Sequence, residues 1–292
     1  MAALAPFVFI SLWSGAFIAV RAGLPDVSPL FFLAVRFAIA GSLLALAMSL
    51  WRPARWRDLR GKWAITALSG VLMNGVYLSA AYLAMTEITG ATMALVGSLQ
   101  PIMVAVLSGP LLGDRFSPLQ WLGFALGTAG VALVAGINVL ELKTGPGMAW
   151  AIGSVVSMVV GTLIFMRYSR GVPAAHANAV QLLAAGVFCG VLMLLFEDVR
   201  VAWTPASVGT LLYLIFGVSL GGMGLYLFML NSGTAGKVAA NFYLTPGLTA
   251  VFGFVLLGET LPPTALIGFA MAMAGIWLVQ GRGMRARTRD SR

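Results

Sequence analysis

The sequence predicts an all-α membrane protein: ten transmembrane helices in two inverted five-helix repeats, with the N- and C-termini cytoplasmic. Three observations lead there. The 292 residues are 60% hydrophobic and 9% charged, with a mean hydropathy of +0.96, which does not describe a soluble domain. The apolar residues fall into ten runs of near-spanning length. Two long stretches match one another at a fixed offset, with five runs in each half.

The runs lie at about residues 4 to 22, 28 to 50, 63 to 84, 90 to 112 and 118 to 137, then 147 to 166, 176 to 196, 206 to 230, 235 to 257 and 263 to 281. About 20 apolar residues cross the hydrocarbon core as a helix, so ten spans leave only short connections and no room for a sizeable soluble domain. None of the runs shows the period-two alternation of a membrane β-barrel strand. The first run lacks a basic start and a small-residue cleavage site before it, so it is expected to be a retained helix and not a removed signal. The single cysteine, Cys189, sits in an apolar run. It reads as helix packing, with no disulfide or cysteine-based metal site available.

The net charge of +9 and pI near 10.4 would suggest nucleic acid in a soluble chain, but the placement of the charges points elsewhere. With a cytoplasmic N-terminus, the inner connections and tail hold Arg52, Arg55, Arg57, Arg60, Lys62, Arg115, Arg167, Arg170, Lys237, Arg282, Arg285, Arg287, Arg289 and Arg292. The outer connections then hold only Arg21, Lys143 and Arg200, and Arg36 lies within the second run. That imbalance is what the positive-inside rule expects. The tail 282–292 reads as a basic cytoplasmic anchor, and no nucleic-acid partner is expected.

The internal match pairs residues 89 to 134 with 234 to 279 at an offset of 145. Pro101 meets Pro246, Leu111-Leu112-Gly113 meets Leu256-Leu257-Gly258, and Asp114 meets Glu259. Pro118 then meets Pro263, Gly123-Phe124-Ala125 meets Gly268-Phe269-Ala270, and Ala129-Gly130 meets Ala274-Gly275. The same offset carries Val35, Ala40 and Gly41 onto Val180, Ala185 and Gly186. The units are residues 1–138 and 146–281. Five helices per unit make the two halves enter the membrane in opposite senses, an architecture associated with secondary transporters whose substrate site lies near the midplane between the repeats.

These segments, each with a Pro-containing helix, a Leu-Leu-Gly-acid turn and a Gly-rich closing helix, resemble the EamA repeat of the drug/metabolite transporter superfamily over nearly the whole chain. Arg36 also fits the basic residue usual in that family's second helix, while its counterpart here is Gln181. Within the superfamily the size and the aromatic-rich helices are similar to those of bacterial amino-acid exporters of the YddG type. The resemblance implies a multi-pass carrier of a bacterial inner membrane that exports or equilibrates amino acids, including aromatic ones, and related small metabolites. Drug and nucleotide-sugar carriage remain alternatives, because the superfamily spans them. A channel would need a continuous polar stripe that the helices do not offer.

Candidate transport residues follow from chemistry at membrane depth. Proline cannot donate to the carbonyl four residues earlier, so Pro101 and Pro246 free the carbonyls of Gly97 and Phe242 and weaken two equivalent helices. Ser98, Gln100, Asn241, Tyr243 and Thr245 beside them are expected either to line a polar cavity or to bond neighbouring helices. Asn241 and Thr245 share a helical face and Tyr243 does not. Asn74 and Tyr77 form a face in the third helix, with Tyr82 pointing away at 100° per residue. Met223 and Tyr226 in the eighth helix and Trp13 in the first complete the set, with core packing the alternative for each. Arg36, about 12 Å into the second helix, is costly in lipid and must bind either a substrate carboxylate or neighbouring backbone. His176, at a helix start, is expected at the interface.

All nine acidic residues fall in connections or at helix ends, which disfavours a carboxylate-coupled pump. Neither a nucleotide-binding loop nor a nucleophile or metal-ligand cluster is present, so no enzyme activity and no cofactor are expected. Gly123 with Gly127, Gly186 with Gly190, and Gly217 with Gly221 give small-xxx-small spacing for close helix contact. The tight Gly113-Asp114 and Gly258-Glu259 turns are expected to make the fourth and fifth helices, and the ninth and tenth, move as pairs.

Overall fold

The computed structural model describes residues 4–23, 27–136, 145–258, 260 and 262–281. The tail 282–292, Asp26, Glu141, Lys143, Glu259 and Asp290 lie outside them.

Among the described residues the chain is helical, and its β structure is one isolated antiparallel bridge, Val27 to Val201. Helix α1 is Ala5–Gly23, with an apolar run over Ala5–Val20. Nine further helices are long and apolar enough to cross a membrane. They are α2 (Pro29–Trp51), α3 (Trp63–Met85), α4 (Thr92–Leu112), α5 (Pro118–Ala135), α6 (Pro146–Ser169), α7 (Ala174–Phe196), α8 (Pro205–Ser232), α9 (Ala235–Leu256) and α10 (Pro263–Gln280). Proline opens α2, α5, α6, α8 and α10, where its fixed φ suits the first turn and its missing N–H costs nothing. Left-handed Gly113 and Gly136 end α4 and α5, positions that favour a residue without Cβ.

Packing between the two halves is reciprocal. Helix α5 lies chiefly along α10, and α2 along α7, while α3 contacts α6 and α7 as α8 contacts α1 and α2. Helix α4 meets α9, and α1 meets α9 as α6 meets α4. Exchanging each helix for the one five places on therefore returns nearly the same contacts, the exception being α5 against α9, which α10 against α4 does not match. The α5–α10 seam is built on glycine. A Cβ on Gly123 would stand 2.7 Å from the Gly275 carbonyl oxygen, and one on Gly130 would stand 2.6 Å from that of Gly268. Rising number in α5 meets falling number in α10, so the two run antiparallel. The α2–α7 pair does the same, with Gly41 against Leu183 and Gly186 against Phe37 and Ala38.

Gly123 and Gly127 make the close helix contact expected of them, since a Cβ on Gly275 would stand 2.6 Å from the Gly123 carbonyl oxygen and 2.7 Å from the Gly127 nitrogen. The seam repeats seven residues on, at Gly130 and Gly268. Gly127 also packs on the Tyr243 ring, whereas Gly190 departs from the expectation, with no neighbouring atom within 4 Å of a built Cβ. Helices α4 and α5 touch, as do α9 and α10, but α5 makes its main contact with α10. A short turn fixes adjacency in sequence, whereas interhelical packing in lipid follows the match of small residues. His176 is buried at the start of α7 against the basic connection after α2: Trp56 covers it edge-on at 4.7 Å, and its Nε2 lies 3.1 Å from the Arg52 carbonyl at the end of α2.

The opposite end of the α2–α7 pair is tied by different chemistry. Glu197, capping the end of α7, accepts the Leu30 and Phe31 amides at 2.9 and 2.8 Å. A carboxylate there satisfies orphan donors and suits the positive end of α2. Glu87 likewise accepts the Gly147 amide at the start of α6, at 2.8 Å.

Candidate functional site

Both proline-bearing helices are interrupted. In α4 one helical segment ends at Gly97, Ser98 and Leu99 form a turn, and a second segment runs Gln100–Leu112 with Pro101 in its first turn. In α9 a 3-10 turn, Ala240–Tyr243, separates Ala235–Ala239 from Leu244–Leu257, which carries Pro246. Other helices take up carbonyls at the breaks. Thr128 Oγ1 donates to the Ser98 carbonyl at 3.3 Å, and Ser14 Oγ donates to the Thr245 carbonyl at 3.3 Å.

The residues preceding the two prolines carry the most informative chemistry. Gln100 and Thr245 are equivalent at the 145-residue offset, and both are buried. Gln100 Nε2 and Thr245 Oγ1 have no hydrogen-bond partner among the described residues. A buried polar atom without a partner costs roughly 1–3 kcal/mol and is rare in folded proteins. Here the cost falls on equivalent residues at equivalent helix breaks.

The neighbouring candidates divide into packed and bonded groups. Ser98 donates to the Leu95 carbonyl at 2.6 Å. Asn241 donates to the Val238 carbonyl at 2.9 Å and accepts from Gln280 of α10 at 2.9 Å. The 3-10 geometry replaces the α-helical 100° step between Asn241 and Thr245, so the shared face expected for them does not follow. Tyr243 turns towards α5, where its hydroxyl meets the Phe124 carbonyl at 3.0 Å and Thr128 Oγ1 at 3.2 Å. Its place is the α5 seam.

Trp13 and Tyr226 come together in an aromatic cluster with two residues that the sequence reading passed over, Phe9 and Phe242. Phe9 lies 5.5 Å from Trp13, 5.5 Å from Tyr226 and 5.2 Å from Phe242 between ring centroids. Phe242 also stands edge-on to Trp13 at 5.3 Å and packs on Tyr226 at 5.5 Å. Phe9 and Trp13 are four apart on α1, a signal present in the sequence. Phe242 could be placed only with the break in α9. Tyr226 hydroxyl pairs with Thr162 Oγ1 at 3.1 Å, and Met223 is buried one turn earlier.

Helices α3 and α8 contain wide π-helical segments, Val71–Val76 and Tyr213–Gly222. Shifted by 145, the first falls inside the second. A π turn inserts an extra residue, so the 100° rule that put Asn74 on one face with Tyr77 does not hold across this segment, while Tyr77 and Tyr82 both lie in the regular α-helical stretch Tyr77–Met85. Asn74 lies in this segment and donates back to the Gly70 carbonyl at 3.3 Å. Half-buried Tyr77 and buried Tyr82 make no hydrogen bond among the described residues. Next to the α8 segment, buried Arg36 donates from Nε to Ser219 Oγ at 2.9 Å, and Asn178 donates to the Ser219 carbonyl at 2.8 Å. At the equivalent place Gln181 donates to Ser69 Oγ at 2.9 Å. Neither the π segments nor Ser219 and Asn178 were singled out in the sequence, because a π turn leaves no distinctive residue pattern.

Comparison with known proteins now bears on the arrangement. The model of the EamA-like transporter family matches residues 1–136 and again 145–280. A transporter of Bacillus subtilis, YvbV, is 27% identical over 261 residues, covering 89% of this chain and 85% of its own. The probable terminal-alkyne amino-acid exporter of Streptantibioticus cattleyicolor is 27% identical over 293 residues, covering 96% and 93%. The inner membrane transporter YedA of Escherichia coli is 26% identical over 286 residues, covering 94% and 88%. One solved crystal structure shares the fold with a TM-score of 0.79 at 23% identity, over 96% of each chain. With the family model matched over both halves of a bundle of apolar helices, this chain belongs to the EamA-like transporter family and is a membrane transporter, not an enzyme.

Proposed function

We propose that the protein is a ten-span secondary carrier that exports or equilibrates amino acids, aromatic ones included, and related small metabolites across a bacterial inner membrane. Both termini face the cytoplasm, and the repeats 1–138 and 146–281 lie inverted around a midplane site. Access alternates as the interrupted helices α4 and α9 shift against their neighbours. The observation that carries this reading is the symmetric pair of interrupted helices with unpartnered Gln100 and Thr245 beside the prolines. Antiparallel pairing of α5 with α10 and α2 with α7 supports the inversion, since homologous helices crossing in opposite senses are what inverted repeats require. The name of one relative, an amino-acid exporter, supports the substrate class.

The experiment is counterflow into proteoliposomes preloaded with unlabelled amino acid, using a labelled panel that includes L-phenylalanine and L-threonine. Saturable uptake that persists after proton and sodium gradients are collapsed is the expected result. Uptake that needs either gradient overturns the uncoupled mechanism, and no uptake of any amino acid overturns the substrate class.

A further inference from the structure

We propose that Arg36 and Asn178 together form the subsite for the zwitterionic head of an amino acid, Arg36 taking the carboxylate and Asn178 Oδ1 the ammonium. The inference rests on the carrier reading above and narrows it to a recognition chemistry. Arg36 is 5% exposed. Its Nε is committed to Ser219 Oγ, and its two Nη groups make no hydrogen bond among the described residues. A buried guanidinium without a counter-ion is costly in lipid, and a paired anion offsets that cost. The acids whose positions are described do not serve. Glu197 and Glu87 hold helix N-termini, Asp58 pairs with Arg55 at 3.3 Å, and neither Asp114 nor Asp198 makes an ion pair with Arg36 among the described residues.

The repeat supplies an internal control. At the position equivalent to Arg36, Gln181 reaches across to Ser69 Oγ at the same 2.9 Å. An amide therefore suffices to tie these helices together, and the positive charge at position 36 is not explained by that tie. Asn178 adds the complementary group. Its Nδ2 is spent on the Ser219 carbonyl, so both side chains converge on one serine, and its buried Oδ1 has no partner. Unbonded donors on Arg36 and an unbonded acceptor on Asn178, both side chains tied to Ser219, are the groups that a carboxylate and an ammonium require.

The test is competition against counterflow of labelled L-phenylalanine by phenethylamine, which lacks the carboxylate, and 3-phenylpropionate, which lacks the ammonium. In the wild-type protein each is expected to compete at least about tenfold less well than L-phenylalanine, the loss expected for one charge-assisted hydrogen bond. Arg36→Gln, which keeps a donor for Ser219, is expected to weaken phenylalanine about tenfold or more while leaving phenethylamine competition unchanged, with Arg36→Lys recovering part of the loss. Asn178→Ala is expected to weaken phenylalanine and phenethylamine but not 3-phenylpropionate. Equal weakening of all three ligands, or unchanged phenylalanine affinity in Arg36→Gln, overturns the subsite while leaving the carrier reading intact. If Arg36→Gln does not fold, the wild-type ligand series decides alone: competition by the acid-free or the amine-free compound as strong as that by L-phenylalanine overturns the proposal. Wild-type protein that carries no amino acid overturns both readings together.

Discussion

Replacing Gly275 with alanine places a methyl carbon 2.6 Å from the Gly123 carbonyl oxygen, 2.7 Å from the Gly127 nitrogen and 2.9 Å from the Gly127 Cα. All three obstacles are backbone, so no side chain can rotate aside. Restoring an ordinary contact of 3.4 Å requires α5 and α10 to part by about 0.8 Å, which loosens the whole seam. Overpacking of this kind costs about 1–3 kcal/mol, and alanine returns up to about 1 kcal/mol of helix propensity. The net is a destabilisation of about 1–2 kcal/mol, or a fall of about 2–4 °C in melting temperature for a domain of this size. The assay is thermal unfolding of the detergent-solubilised protein, followed by monodispersity. Gly190→Ala is the control, because a methyl there has open space, and it should melt at or above the wild-type temperature. Combining Gly123→Ala with Gly275→Ala should cost less than the sum of the single changes, since one separation accommodates both methyls. A Gly275→Ala protein that melts with the wild type, or a Gly190→Ala protein that melts as low, refutes backbone contact at the α5–α10 seam as a source of stability.

Three further outcomes follow from the breaks and their surroundings. Thr245→Val removes an unpartnered buried hydroxyl, so it should leave the melting temperature unchanged or raised while transport falls; unchanged counterflow would count against a role for Thr245 in substrate passage. Tyr243→Phe loses a hydroxyl bonded to the Phe124 carbonyl and Thr128, which should lower stability by about 0.5–1.5 kcal/mol without changing apparent substrate affinity, as thermal unfolding and counterflow can compare. Replacing Pro101 and Pro246 together with alanine restores two backbone donors, so counterflow should slow far more than folded yield declines, and equal loss of both would assign the prolines to folding alone.

Much of the architecture was legible along the chain because hydropathy is a property of each residue where it stands. The described helices fall within a few residues of the runs read from the sequence, and the prolines at 101 and 246 mark real interruptions. What resisted reading was the angular position of side chains near the breaks. Counting 100° per residue assumed unbroken α-helix, yet Asn241 sits in a 3-10 turn and Asn74 in a π segment. Hence the bonding of Asn241 to Gln280 and the turning of Tyr243 into the α5 seam were visible only in three dimensions.

The sequence by itself determined which segments enter the membrane and that one half repeats the other, since burying about 20 apolar residues in lipid is decided locally. The tertiary structure alone decided which helix lies against which. Every helix here is apolar on most faces, so none advertises its partner, and the short turn after α4 says nothing of the longer α5–α10 seam. Partner choice came from shape, in glycines that let the α5 and α10 backbones touch. Likewise the sequence exposed a lone arginine within an apolar run, but only the fold could bring Ser219 of α8 to it, with Asn178 of α7 bonded to the same serine.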